Sequence, residues 1–185
     1  MSKLIVTGLV LTVSVGAALI QAEDVPEFPK PQKEHEWLQQ LVGEWESEAT
    51  MFMEPEQPPV TSKGTESVRS VGGFWIVAEN KGTFMETPFT GLLTLGYDAE
   101  KKRYVGTWVD SVQAYLWTYQ GAVDEAGKVL TLETEGPCPA EPGKMSRFKE
   151  VLEIRSKDHK VFTSSMQGED GKWNIMVRIE YRRKK

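Results

Sequence analysis

The sequence predicts an all-β fold: an antiparallel barrel of about ten strands, preceded by one short N-terminal helix and a cleavable leader. Three observations lead there. From Gly43 onward the chain alternates segments rich in Val, Ile, Thr and aromatics with Gly, Pro, Asp and Glu-Lys clusters, the pattern of strands and turns. Most of the breaks are short, so sequential strands pair antiparallel. No second helix is available to cover the two edges of such a sheet, and closing it on itself is the economical way to hide them. An open β-sandwich is the alternative, because the sequence does not say whether the first and last strands meet.

Composition fits one domain and narrows its partners. The 185 residues hold 22 Lys and Arg against 27 Asp and Glu, a formal charge of −5. That balance argues against nucleic acid as the main partner. A single cysteine, Cys138, excludes a disulfide framework.

The elements follow in order. Residues 1–22 carry one charge, Lys3, then an uncharged stretch from Leu4 to Ile20 and the small residue Ala22, the pattern of a signal peptide cleaved after Ala22. Thr7, Gly8, Thr12, Ser14 and Gly16 dilute the stretch below the apolarity of a spanning helix, so no stable membrane insertion is expected after cleavage. The expected compartment is therefore the periplasm or the exterior. Pro26, Pro29 and Pro31 make residues 23–33 an extended linker, and the barrel domain is expected over 34–185. In EHEWLQQLVGEW, Trp37, Leu38, Leu41 and Val42 fall at helical spacing, which predicts a helix over 34–42 ended by a left-handed Gly43.

Ten strands are then expected: Glu44 to Met53, Lys63 to Val71, Phe74 to Thr83, Thr90 to Tyr97, Arg103 to Ser111, Ala114 to Val123, Lys128 to Glu135, Ser146 to Lys157, Lys160 to Gln167 and Trp173 to Arg182. In the last, Trp173, Ile175, Val177, Ile179 and Tyr181 share one face, and Asn174, Met176, Arg178 and Glu180 share the other.

Several stretches carry a family likeness: LVGEW (Leu41 to Trp45), VGGFWIVAE (Val71 to Glu79), TGLLTLGYDAEKKRYVGTWVDS (Thr90 to Ser111), LETEG (Leu132 to Gly136) and IEYRRK (Ile179 to Lys184). Together they resemble the DUF1579 family, bacterial proteins of uncharacterised role grouped with lipocalin-like (calycin) folds. The resemblance runs from about Glu34 to the C-terminus. It implies a calycin-type barrel and transfers no catalytic residue.

The candidate site is the densest aromatic region. Tyr104, Gly106, Trp108 and Asp110 share one strand face, and Tyr115, Trp117 and Tyr119 share another. They read as a lumen wall for a small apolar, aromatic or amphiphilic ligand, with Asp110 and the tyrosine hydroxyls as orienting groups. The same residues also read as aromatic core or as outward cross-strand pairs, with Gly106 marking either a cavity or a bend. Glu66, Arg69, Glu79, Arg178 and Glu180 sit on strands rather than in turns. Arg178 with Glu180 would bind a carboxylate if they faced inward, and is solvated surface otherwise. His35 opens H-E-W-L-Q, where Gln39 replaces the second histidine of the zinc motif H-E-x-x-H, and His159 falls at a hairpin tip. No metal or cofactor is implied, and Cys138 between two prolines lacks an adjacent base.

The function this predicts is non-catalytic binding of a small molecule. Two alternatives stand beside it: an enzyme using Asp110 with Tyr115 or Tyr119 for acid–base chemistry, or a solidly packed module acting through the loops 54–59 and 136–143.

Overall fold

Alternating apolar and polar positions produce the elements, and the chain connects them in the simplest order. In the computed structural model, which describes residues 28–53 and 57–185, α1 (Lys33–Gln39) leads into β1 (Gly43–Met51), β2 (Val60–Val71), β3 (Trp75–Phe84), β4 (Thr87–Asp98) and β5 (Arg103–Asp110). The second half is β6 (Gln113–Val123), β7 (Val129–Pro137), β8 (Met145–Ser156), β9 (His159–Gln167) and β10 (Trp173–Arg183). These elements belong to the unit Pro31–Lys185. The leader, the first part of the linker and residues 54–56 lie outside the described residues.

Each strand pairs antiparallel with its sequence neighbours, and β1 pairs with β10 from Trp45↔Arg183 to Met51↔Val177. The sheet is a closed ten-stranded barrel, so neither of its edges is left free to pair with another chain. The open sandwich is thereby excluded.

Register assigns the inner face. Trp45 stands opposite Glu66, Val68 opposite Ala78, Ile76 opposite Leu95, and Leu95 opposite Gly106, which continues the inward row to Tyr119 on β6. The row is packed most tightly at the end covered by α1. There Leu38, Leu41, Trp45, Ile76, Leu95 and Leu130 are almost wholly buried. Each such side chain contributes about 1.5–3 kcal/mol relative to leaving it in water.

Polar contacts seat the helix on this end. His35 Nδ1 accepts from the Gln32 amide at 3.0 Å, which leaves the proton on Nε2 to donate to the Tyr97 carbonyl at 3.2 Å. Trp37 Nε1 donates to Gly127 O at 2.8 Å, and the Tyr104 hydroxyl donates to Glu34 O at 3.0 Å. His35 is therefore a buried structural residue.

Three local expectations need correcting. The helix ends at Gln39, and Gly43, with φ +134°, opens β1 instead of capping the helix. A bulge at Met176 breaks the alternation of β10, because Ile175 pairs with Ser165 while Val177 pairs with Ser164. Ile175 is consequently turned outward and 47% exposed, while Val177, Ile179 and Tyr181 keep the inner face. Gly106 marks neither a cavity nor a gap: a Cβ there would meet Thr94 O at 2.3 Å and Leu95 at 3.2 Å, so β4 already occupies the space.

Candidate functional site

Away from the helix, toward the end marked by the β3–β4, β5–β6 and β7–β8 turns, the interior changes character. The inward rows there carry Leu93, Trp108, Tyr119, Leu152, Phe162 and Ile179, all only partly buried although they point into a closed barrel. Side chains of a filled core lose nearly all accessible surface. These retain some, so this end of the barrel is open to solvent, while all of them but Trp108 also pack against the core. The turns at this end add exposed apolar groups, among them Met85, Val112 and Met145.

Trp108, Tyr115, Trp117 and Tyr119 all fall on the inner face. The Trp108 ring stacks on Phe89 with centroids 6.2 Å apart and lies over Gly91, where a Cβ would stand 2.2 Å from it. Trp117 meets Tyr115 and Phe148 edge to face, at 5.1 and 4.9 Å. The aromatic wall thus has two panels, one on β4 and β5 and the other on β6 and β8.

Asp110 is committed elsewhere. Its Oδ1 accepts from the amides of Val112 and Gln113, and its Oδ2 from Trp108 Nε1 at 2.9 Å and Gln113 Nε2 at 2.8 Å. That pattern pins the β5–β6 turn and orients the Trp108 indole. The Tyr115 hydroxyl donates to Glu135 O at 3.2 Å, so Asp110 and Tyr115 do not form an acid–base pair.

Arg178, a candidate lumen residue, takes the outward alternative. It sits on the outer face of β10, 41% exposed, with Nη2 donating to Glu180 Oε1 at 2.9 Å, and Glu180 also meets His159 at 2.6 Å. Beyond the bulge at Met176, Val177 and Ile179 point inward, and Arg178 between them points outward. His159 belongs to this outer cluster. Among the described residues no three His, Cys, Asp or Glu side chains converge as a metal-binding group.

Two buried charged sites inside the barrel are not evident from spacing alone. Glu66 and Lys160 both stand on predicted strands, but nothing in the sequence pairs them: the two meet at the helix end, 7% and 3% exposed, with the ammonium 4.5 Å from the Trp45 ring centroid and 4.7 Å from that of Tyr181. Burial pushes the Lys160 pKa down, and Glu66 opposes that shift. The other is Glu150 on β8, 7% exposed, whose Oε1 accepts from Ser164 Oγ at 3.0 Å while Oε2 has no partner. Burial raises its pKa to about 8. Trp117 Nε1 is likewise buried without a partner. The sequence does hold a signal: Glu150 interrupts the apolar row Phe148, Leu152, Ile154, and Lys160 precedes Phe162 at the same period of two.

Between β6 and β7 the wall is weakly joined. Their ladder runs only from Gln120↔Glu133 to Val123↔Leu130. Beyond it lies a groove of ≈ 670 Å³ lined by Thr118, Tyr119, Glu133, Thr134 and Arg147. Side chains bridge this stretch in place of backbone bonds, through the Tyr115 contact to Glu135 and the Trp117 ring lying over Gly136. A second groove of ≈ 510 Å³ lies at the helix end, away from the aromatic panels, where Arg183 bonds the carbonyls of Gln40 and Val42.

Comparison with known proteins adds a family and a fold. The profile of the family described as Protein of unknown function (DUF1579) matches residues 30–183. Among solved structures, the crystal structure of Rv2717c from M. tuberculosis is similar at a TM-score of 0.60 and 12% identity, over 84% of this chain and 100% of that one. A fluorescence-activating β-barrel designed de novo is similar at 0.43 and 16%, over 79% and 95%. EF1p2_mFAP2b bound to DFHBI stands at 0.44 and 12%, over 82% and 99%. The first likeness shows a shared fold; the other two barrels are too distant to carry a functional comparison. No curated protein matches the chain.

Proposed function

We propose that this chain, which belongs to the DUF1579 family of proteins of unknown function, is an exported, non-catalytic barrel that holds a small apolar, aromatic or amphiphilic molecule. The observation carrying this reading is the accessible surface kept by Leu93, Trp108, Tyr119, Leu152, Phe162 and Ile179 on the inner face of a closed sheet. Apolar walls around unfilled space with few polar groups are what a small ligand requires. The same surface weighs against a solidly packed interaction module. The acid–base alternative has lost its named partner, because both Asp110 oxygens serve the β5–β6 turn.

An uncharged solvatochromic naphthalene probe titrated into the purified protein is expected to occupy one saturable site with blue-shifted emission. Ala49→Phe adds a ring on the inward row between Ser62 and Ile179. It should weaken the probe at least about tenfold while leaving the circular dichroism and Tm of the barrel intact, because a filled core resists added bulk and an unfilled one accepts it. Absence of saturable binding by the wild type up to the probe's solubility sinks the proposal. Export rests on the leader at residues 1–22. The intact mass of protein recovered from the periplasmic or secreted fraction should lack those residues; full-length protein confined to the cytoplasm contradicts it.

A further inference from the structure

The interior is apolar except at a few points, and Glu150 is the carboxyl group among them whose polar capacity is unspent. Its Oε1 accepts from the Ser164 hydroxyl, so in the neutral acid the proton sits on Oε2, and Oε2 has no partner. A buried donor left unsatisfied is costly, and a ligand's acceptor recovers that cost. The unpartnered Trp117 Nε1 lies on the same side of the interior, since the Trp117 ring touches Phe148, two residues from Glu150 on the same face of β8.

Resting on the reading of the barrel as a small-molecule carrier, we infer that Glu150 anchors the ligand by donating from Oε2, and that the ligand is an uncharged amphiphile bearing a carbonyl oxygen. The absence of charge follows from the surroundings. Glu150 is flanked by Leu132 and Thr134 on β7, Ser164, Phe162 and Met166 on β9, and Phe148 and Leu152 on its own strand, with Tyr119 nearby on β6. Of these only Tyr119 titrates. Burial first, then the Glu150 and Asp110 charges, hold its phenol far above the ordinary range, so it stays neutral. The buried Lys160 at the helix end is already paired with Glu66. A ligand carboxylate therefore meets no cation beside Glu150, and the desolvation that keeps Glu150 neutral opposes it equally.

Ionised Glu150 is acceptor-only and repels a carbonyl, so the anchor fails as the site titrates near pH 8. The test uses 2-acetylnaphthalene and 2-ethylnaphthalene, which share shape and differ in the carbonyl. Wild-type affinity for the ketone should fall about tenfold between pH 6.5 and 9.5, while that for the hydrocarbon stays constant. Glu150→Gln, which keeps a donor, should hold ketone affinity within about threefold at pH 6.5 and abolish its pH dependence; Glu150→Leu should lose the ketone about tenfold and keep the hydrocarbon. The wild-type comparison needs no variant to fold. If the hydrocarbon binds but the ketone shows no pH dependence, the anchor is overturned and the carrier reading stands. If neither binds at any pH, both fall.

Discussion

Glu150 shows how one side chain couples the interior to pH. In the unfolded chain its carboxyl ionises near the ordinary value of 4.5, whereas in the barrel it keeps its proton to about pH 8. Between those values the folded state binds one more proton than the unfolded state. Stability therefore declines as pH rises through that window, by up to about 1.4 kcal/mol per pH unit, and levels off above it. Glu150→Gln removes this dependence. In urea unfolding at a series of pH values, the variant should gain on the wild type progressively from pH 5 to 8 and hold a constant advantage beyond; a pH-independent difference contradicts the assignment. The sequence makes Glu150 visible only as a charge on an apolar row. That Ser164 satisfies one oxygen and nothing the other depends on strand neighbours that spacing does not reveal. Glu66 and Lys160, 94 residues apart, are another such case: they come together only in the closed barrel, and no local pattern links them. Asp110 is legible as an inward-facing residue, but its use as a turn acceptor is not, since the four donors come from Trp108, Val112 and Gln113 in the folded hairpin.

At the level of elements, the strands are readable because alternation and β-branched content agree along most of the chain, and the errors fall where turn chemistry departs from rule. β3 and β4 join through Met85 and Glu86, with φ of 48° and 66°, a two-residue hairpin in which both central residues have positive φ. Such turns favour Asn-Gly, and neither Met nor Glu signals one, so residues 84–89 read as a break rather than as continuing strand. L-residues in this region each cost about 1 kcal/mol. Replacing the pair by Asn-Gly should stabilise the protein by about 1–2 kcal/mol, seen as a higher urea midpoint with an unchanged m-value; a neutral or lower midpoint would mean that Met85 makes contacts the replacement loses. The bulge at Met176 is the second departure. One extra residue on β10 reverses the faces that strict alternation assigns beyond it, which is why Ile175 lies outside and Ile179 inside.

For the molecule as a whole, strand number and order are the most legible properties and occupancy the least. Ten strands in sequential order with one helix favour a barrel over an open sandwich, and it is the pairing of Trp45 through Met51 with Val177 through Arg183 that decides between them. How the interior is filled depends on ring placement. Trp108 and Trp117 lie flat over Gly91 and Gly136 instead of projecting across the interior, and nothing in their spacing announces it. On the proposed function, this arrangement leaves an apolar interior able to take a ligand. The most direct measurement is the bromine anomalous signal from crystals of the protein grown with a neutral bromoalkyl ketone. A peak is expected inside the barrel, on the Trp108 and Tyr119 side of the Trp45–Tyr181 core. Bromine found only on the outer faces, or none at saturating ligand, contradicts it.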